Sequence, residues 1–184
     1  MDIVQQLLDA LGPDCVKTAE QASQRMASNW VNAQNLQCRA LLLPQTTQEV
    51  STALKICHAA KQAIVPHGGL TNVVGGVQTQ PHEIALSLER MNVVEAVDLA
   101  NQTATVQAGV VLQDLQNQLL PAGLFFPLDL GAKGSCMIGG NISTNAGGLQ
   151  ALRYGVTRNL VLGLEVVLAD GSIISSMNHL LKNN

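Results

Sequence analysis

The N-terminal part of the chain changes from a helical apolar pattern to a polar segment. Residues 2–11 repeat apolar side chains at the spacing of an amphipathic helix, which Asp2 can cap and Gly12-Pro13 ends. The following segment, 17–37, is polar and weakly periodic, and it contains the single tryptophan, Trp30. We expect residues 17–37 to form an irregular or partly helical arm that packs on the main body.

A β-α-β pattern follows the arm. Residues 40–44 predict a short strand, and the spacing of Thr46 and Glu49 predicts a capping box at the start of a helix that runs to about Lys61. Residues 63–65 predict the next strand. This order predicts a small parallel sheet, with the loop after the second strand at the carboxyl ends, where ligands bind in such sheets.

The middle of the chain predicts a hairpin and a helix. Residues 84–88 read as a strand, and 93–97 and 103–107 alternate around a polar turn. Leucines at helical spacing in 112–119 predict a helix. The second half is therefore expected to contain a mixed or antiparallel sheet.

The C-terminal part of the sequence predicts another hairpin. Residues 161–169 read as a buried strand, and Asp170-Gly171 reads as the turn that follows it. Together these patterns indicate an α+β fold with a helical arm at 1–37, a first lobe at 38–92 and a second lobe at 93–184.

Two glycine-rich segments stand out from these elements, at 66–76 and at 127–148. Glycine permits close approach to the main chain, and exposed N–H groups beside short hydroxyl and amide side chains suit a diphosphate. Neither segment matches the P-loop or the G-x-G-x-x-G pattern. Two loops that converge on one ligand predict a large, two-ended cofactor; the alternative is that they are only tight turns.

Composition excludes some partners. The chain is 47% apolar, enough for a core, and only 12% charged. Either much surface is buried against a partner or a missing segment, or the polarity comes from uncharged side chains. A net charge of −3 and 2% aromatic residues argue against nucleic acid as a partner.

The four cysteines show no metal-binding or disulfide pattern. No signal peptide opens the chain, and no segment is apolar for long enough to span a bilayer. We therefore expect reduced cysteines, no metal and a cytoplasmic protein. Cys136 lies inside the second glycine segment, where filling a tight loop is favoured over reactivity.

Five motifs together resemble a known flavoprotein family. They are PHGGLTNVVGG (66–76), LSLERMN (86–92), NQTATVQAGV (101–110), FPLDLGAKGSCMIGGNISTNAGG (126–148) and LRYGVTRNLVLGLEVVLADG (152–171). From Ala40 onward the chain resembles the FAD-binding domain of the vanillyl-alcohol oxidase (PCMH-type) family, nearest to D-lactate, glycolate and D-2-hydroxyglutarate dehydrogenases. The resemblance implies a FAD-linked oxidase domain of two α/β lobes, with the dinucleotide in the seam near Met91-Asn92.

The resemblance also implies which residues contact a non-covalently bound FAD. They are Pro66, His67, Gly68, Gly69, Leu70, Thr71, Asn72, Pro127, Gly134, Ser135, Ile138, Gly139, Gly140, Asn141, Ser143, Thr144, Ala146, Gly147, Gly148, Glu165, Val166 and Ile173. The sequence departs from the family at Leu70 and Asn72, where small residues or glycine are usual. Leucine tolerates the left-handed backbone poorly, so Leu70 either points away from the loop or weakens binding.

The function implied is oxidation of a D-2-hydroxy acid to the 2-oxo acid, with electrons passed to an external acceptor. In this family the catalytic base and any metal ligands lie in a later domain. We therefore expect an N-terminal fragment without turnover of its own, whose uncovered surface drives self-association. The alternatives are a module that binds no flavin, or the FAD domain of another oxidase branch.

Overall fold

The computed structural model describes residues 2–28 and 33–177; Trp30 and the C-terminal residues from 178 lie outside this range. The described residues form two compact units. The first contains the chain up to His67, residues 72–87 and the residues from Leu162 onward, and the second contains Gly68–Thr71 and Leu88–Val161. The units therefore differ from the predicted lobes at 38–92 and 93–184, because both ends of the described chain join the first unit.

The N-terminal residues begin with a helix and return as strands. They form α1 (Ile3–Cys15), β1 (Val16–Thr18), α2 (Ala19–Ser23), β2 (Met26–Ser28) and β3 (Ala33–Asn35). Helix α1 continues past the predicted stop, with a kink at Gly12, where φ is 78°. Helix α2 begins with a capping box between Thr18 and Gln21, and β2 pairs antiparallel with β3.

The first sheet contains strands from both sides of helix α3 (Thr47–Ala59). Strands β4 (Ala40–Leu42), β5 (Ile64–His67) and β6 (Ile84–Ser87) are parallel, in the spatial order β1-β4-β6-β5. The predicted parallel sheet is confirmed. Strand β1 adds to it antiparallel, so that part of the predicted arm at 1–37 belongs to this sheet.

Local capping defines the start of α3 as the sequence suggested, with one difference. The Thr46 Oγ1 atom accepts a hydrogen bond from the N–H of Glu49 at 3.1 Å. The Glu49 carboxylate accepts at 2.6 Å from the N–H of Gln45, one residue earlier than a capping box requires. At α1, Asp2 makes no side-chain cap and instead pairs with Arg39 at 2.6 Å.

The second unit begins with the predicted hairpin and helix. It contains β7 (Val94–Asp98) and β8 (Thr103–Val106), which pair antiparallel, followed by α4 (Leu112–Leu119) with a 3-10 turn at its end and α5 (Ile138–Ser143). The apolar face of α4 packs into a core with the residues before α5. The buried members of this core are Val110, Leu112, Leu115, Leu119, Leu128, Cys136 and Ile138.

Two short helices complete the second unit, α6 (Ala151–Tyr154) and α7 (Thr157–Leu160), and the sequence patterns did not predict either. The chain then returns to the first unit as the hairpin of β9 (Glu165–Val167) and β10 (Ile173–Ser175). The prediction of a buried strand at 161–169 is wrong, because the side chains of β9 are exposed or only half-buried.

Candidate cofactor-binding site

The two glycine-rich segments meet within the second unit. A Cβ atom on Gly69 would collide with the carbonyl oxygen of Ser135 and would lie 2.8 Å from the Cα of Cys136. A Cβ atom on Gly68 would lie 3.8 Å from the Cα of Gly140. The close approach of these backbones requires glycine at position 69. Residues far apart in sequence therefore form one continuous backbone surface.

Close packing accounts for some glycines of the second segment and not for others. A Cβ on Gly139 would lie 2.7 Å from the Cβ of Ala108, and one on Gly148 would collide with the carbonyl oxygen of Asp129. By contrast, a Cβ on Gly134 or Gly140 would meet no atom of the described residues within 4 Å. Gly140 lies in helix α5, where glycine is less favourable than alanine by about 1 kcal/mol. The fold itself gives no reason for glycine there.

Several backbone donors at this surface are open. Among the described residues, no acceptor bonds the N–H groups of Gly69, Leu70, Thr71 or Gly134. The N–H of Gly139 is already used, because it donates to the carbonyl of Ala108 at 2.8 Å. Successive open N–H groups form concavities that bind anions. The open donors therefore include those of Gly69–Thr71 and of the turn at Gly134.

The hydroxyl groups on α5 and at its two ends already donate locally. Ser143 Oγ donates to the carbonyl of Gly139 at 2.8 Å, and Thr144 Oγ1 donates to that of Gly140 at 2.9 Å. Ser135 Oγ donates more weakly, to the carbonyl of Ala132 at 3.4 Å. Ser143 and Thr144 can bind a ligand as donors only by giving up these bonds.

Asn141 and Cys136 are buried beside the site and contact each other. Both are buried, and the Asn141 Nδ2 lies 3.6 Å from the Cys136 Sγ. Burial raises the pKa of the Cys136 thiol, and the hydrogen bond from Asn141 lowers it by less. A neutral, buried thiol is a packing group, in agreement with the non-reactive interpretation. Ile138, expected beside the cofactor, is buried in the same core.

The end of the second segment is held by side chains that sequence reasoning missed. Thr157 Oγ1 donates to the carbonyl of Ala146 at 2.6 Å, and its N–H donates to the same oxygen at 3.0 Å. The Asn145 Oδ1 accepts from the N–H of Arg158 at 3.0 Å. Position 145 has a left-handed φ of 50°, which asparagine tolerates, and this was the available signal. A Cβ on Gly147 would make only ordinary contacts, the nearest at 3.7 Å to the Val156 Cγ1.

Leu70 adopts the conformation that its residue type disfavours. Its φ is 56°, and its side chain is half-buried. Asn72 holds the next turn, because its Oδ1 accepts from the N–H groups of Val74 and Gly76 at 3.2 and 3.1 Å. The Asn72 oxygen is therefore bonded within its own loop, which lies in the first unit.

Pro66 and His67 end strand β5, which is an edge strand of the first sheet. Pro66 is exposed, as expected of proline at a sheet edge. The His67 ring is buried, and its Nε2 lies 2.9 Å from the carbonyl oxygen of Val77. Because a carbonyl can only accept, Nε2 carries the proton in this bond. The ring braces the loop that follows the strand.

The remaining predicted contacts lie elsewhere. Gln116 Nε2 donates to the carbonyls of Phe126 and Leu128, at 3.1 and 2.8 Å, and so holds both neighbours of Pro127. Glu165, Val166 and Ile173 belong to the hairpin of the first unit. The Glu165 carboxylate accepts from Thr47 Oγ1 at 2.6 Å, and Val166 and Ile173 are exposed.

Neither a metal group nor a membrane span is found in the part of the chain that the structure describes. No three His, Cys, Asp or Glu side chains there lie close enough to hold a metal ion. No helix there has the length and apolar character to cross a bilayer.

Sequence comparison identifies the family of this arrangement. The family described as FAD binding domain matches residues 38–176. The chain belongs to this family. FAD is therefore the cofactor of the domain, and the open N–H donors together with the uncovered faces of Gly134 and Gly140 fit an anionic dinucleotide lying against this surface. The resemblance predicted from the five motifs is confirmed.

The chain is similar to part of several longer dehydrogenases. D-2-hydroxyglutarate dehydrogenase, mitochondrial, of Bos taurus is 47% identical over 156 residues, which is 85% of this chain and 29% of the relative. The Danio rerio protein of that name is 48% identical, with the same shares. The one from Arabidopsis thaliana is 39% identical over 96% of this chain and 32% of its own length. The chain thus spans about a third of the length of these relatives.

The relatives correct one prediction. Those from cattle, zebrafish and Arabidopsis are all named mitochondrial, so the prediction of a cytoplasmic protein is wrong. That prediction depended on the lack of a signal peptide and of a membrane span. Neither feature distinguishes the cytoplasm from the mitochondrion.

Solved structures confirm the fold of the FAD-binding domain. Alkyldihydroxyacetonephosphate synthase superposes with a TM-score of 0.82 at 23% identity, over 97% of this chain and 35% of that one. The 6-hydroxy-D-nicotine oxidase of Arthrobacter nicotinovorans gives 0.75 at 22% identity, over 87% and 35%. At this identity the likeness shows the PCMH-type α+β fold alone.

Proposed function

We propose that this domain is the flavin-binding part of a dehydrogenase that oxidises a D-2-hydroxy acid to the 2-oxo acid. The observation that supports it best is the surface where Gly68 and Gly69 meet Ser135 and Gly140, with open N–H donors and, among the described residues, no atom within 4 Å of a Cβ at Gly140. When bound, FAD would supply its N5 position as the acceptor for a hydride from the substrate's α-carbon, and a separate acceptor would then receive the electrons.

The protein's part in this function is to hold the cofactor. The N–H groups of Gly69, Leu70 and Thr71 bind the diphosphate from one segment, and Gly134 and Gly140 let it approach from the other. Asn141, a buried residue of α5, keeps that helix in place through its contact with Cys136. The backbone donors cost little to organise, because Gly69 already packs against Ser135.

The FAD is held without a covalent bond. His67 is the histidine nearest in sequence to the open donors, and it is buried with its Nε2 hydrogen-bonded to Val77. Attachment at that nitrogen would break the bond and move the ring out of the unit that it braces. The buried hydrogen bond therefore supports non-covalent binding.

The substrate of the parent enzyme is a D-2-hydroxy acid, and its electrons leave to an external acceptor. The names of the relatives favour D-2-hydroxyglutarate as the first acid to assay, before D-lactate and glycolate. The candidate site consists of backbone donors, hydroxyls and amides, with no exposed base among the residues that meet at Gly69. We infer that the domain alone binds flavin without oxidising the acid.

The decisive experiment is flavin retention by the purified chain. FAD is added, the protein is desalted, and the visible spectrum is recorded for the parent, for Gly140→Ala and for Gly131→Ala. Both positions have space for a Cβ, since no atom of the described residues would lie within 4 Å of that Cβ at either position. Only Gly140 lies against Gly68, so a methyl there obstructs the cofactor and weakens its binding by about tenfold or more.

The Gly131→Ala control is expected to retain FAD like the parent. Gly140→Ala is expected to unfold no more easily than the parent, because alanine favours the helix by up to about 1 kcal/mol. If the folded parent retains no flavin, or if Gly140→Ala binds FAD as tightly as the parent, this site is not where the cofactor lies. A folded chain without flavin would favour the flavin-free module.

A further inference from the structure

The hairpin of β9 and β10 has an outer edge whose direction follows from its register. Ile174 pairs with Val166 and Ser175 with Glu165. The N–H of Ser176 donates to the carbonyl of Leu164 at 2.8 Å, and the N–H of Leu168 donates to that of Ser172 at 2.8 Å. Hydrogen-bonded and non-hydrogen-bonded pairs alternate along an antiparallel ladder. The backbone groups of every second residue on β10 therefore point away from β9.

Ile173 and Ser175 are those residues. No hydrogen bond from the described part of the chain reaches the backbone N–H or C=O of either one. The sheet that contains β10 has β9 as its other strand, so this edge is uncovered among the described residues. A row of unpaired backbone groups on an edge strand is a template for another strand.

The side chains along this edge are apolar and exposed. Ile174 is 53% and Ile173 37% exposed, and Val166, which pairs with Ile174 on β9, is 41% exposed. The segment 172–177 contains no charge, no proline and no glycine. Such a segment has the composition that favours strand pairing, and a two-stranded hairpin by itself is only marginally stable.

We propose that two copies of this chain associate by antiparallel pairing of their β10 strands, with Ile174 on the two-fold axis. In this register Ile173 faces Ser175 of the second copy, and the same pair recurs across the axis. Each is a hydrogen-bonded pair that exchanges two N–H···O bonds, so every outward group of these residues is satisfied. The two Ile174 side chains meet in the closer, non-hydrogen-bonded position.

A second copy fits this edge better than a charged partner. Like charges that face each other across a ladder destabilise it. Segment 172–177 carries no charge, so two paired copies place no like charges opposite one another. The contact is isologous and closes on itself, so it gives a dimer and not a filament.

The test is the oligomeric state of the full chain by sedimentation velocity across a wide range of concentration, with and without added FAD. Ile174→Lys places two cations against each other on the axis and is expected to raise the dimer dissociation constant by roughly tenfold or more. Ser175→Pro removes an outward N–H and leaves the inner ladder intact, so it is expected to abolish the dimer. Ser175→Ala, the matched control, is expected to dimerise like the parent.

Leu168→Lys distinguishes pairing of the β10 edges from nonspecific hydrophobic association. Leu168 is 40% exposed and lies on the same hairpin outside the proposed contact. If it weakens association as much as Ile174→Lys does, or if Ser175→Pro remains dimeric, the association uses another surface and the proposal is wrong. A parent that stays monomeric also overturns it. Circular dichroism checks that each variant is folded. If Ser175→Pro is unfolded, the proposal is tested by Ile174→Lys alone.

Discussion

Leu70 gives the most direct test of the loop that bears the open donors. Its φ of 56° lies in the left-handed region, which costs an L-residue about 1–2 kcal/mol. Replacing it by alanine keeps that cost, whereas glycine removes it and loses about 0.5–1 kcal/mol in chain entropy. Both changes delete the same half-buried side chain. The difference between the two variants therefore isolates the backbone.

We expect Leu70→Gly to be more stable than Leu70→Ala by about 0.5–1 kcal/mol. At a residue with negative φ, the alanine variant is the more stable of the two. The sign of the stability difference between the glycine and alanine variants therefore shows whether φ is left-handed. Gln102 provides the matched control, because it has a φ of 53° in the β7–β8 turn of the same unit. Urea unfolding measures all four variants, and the expected difference moves the midpoint by about 0.5 M.

The same variants show when the strain arises. If the loop is already formed without ligand, Leu70, Leu70→Gly and Leu70→Ala bind FAD with dissociation constants within about threefold of one another. Tighter binding by the glycine variant of about tenfold would mean that the strain appears only on binding. A Leu70→Ala variant as stable as Leu70→Gly, with the glycine advantage still seen at Gln102, would refute a left-handed Leu70.

The other predictions concern packing, a buried hydroxyl and a buried thiol. Gly69→Ala forces a methyl against the carbonyl of Ser135, so the melting temperature and FAD retention should both fall; an unchanged melting temperature would contradict the contact. Thr157→Val should lower the free energy of unfolding by about 0.5–1.5 kcal/mol in urea titration, because the Ala146 carbonyl keeps the N–H of residue 157 and loses the hydroxyl as its second donor; no loss would contradict this. Burial raises the pKa of Cys57 from 9.0 to about 11, so the folded state keeps its proton longer than the unfolded state does. The stabilisation of the folded state by the protonated Cys57 thiol is complete below pH 9 and is lost as the pH rises to 11. The free energy of unfolding of Cys57→Ala should therefore decline less than that of the parent over this pH range. An equal decline would refute this.

Elements with a local signal were predictable from the sequence. Thr46 caps α3, leucines at helical spacing define α4, and polar residues turn β7 into β8. In each case the residues that determine the element lie within a few positions of one another. The parallel sheet followed because an apolar strand, a helix and a second apolar strand allow few other connections.

Elements that depend on distant partners were not predictable. Strand β1 is three residues long and exists because β4 offers it an edge, which no pattern near Val16 reveals. The apolar run at 161–169 read as buried, but periodicity cannot tell whether another element covers a strand. Helices α6 and α7 have four residues each, too few for a periodic signal.

The candidate site was predictable in composition and not in detail. The sequence placed two glycine-rich segments together. It did not show that Gly69 and Gly148 serve backbone packing while Gly134 and Gly140 face open space. The contact that the resemblance implied for Ser143 stays a prediction, and residue type did not show that its hydroxyl bonds its own helix. Side-chain direction decides these roles, and residue type alone does not.

The contact between Gly69 and Ser135 has a consequence for how the domain folds. It joins backbone segments that are separated by dozens of residues, so chain entropy opposes its formation until the intervening elements are in place. Contacts of this kind form late and make folding slow. We therefore expect added FAD to slow unfolding and to leave the refolding rate nearly unchanged, because the surface that binds it does not yet exist in the folding transition state.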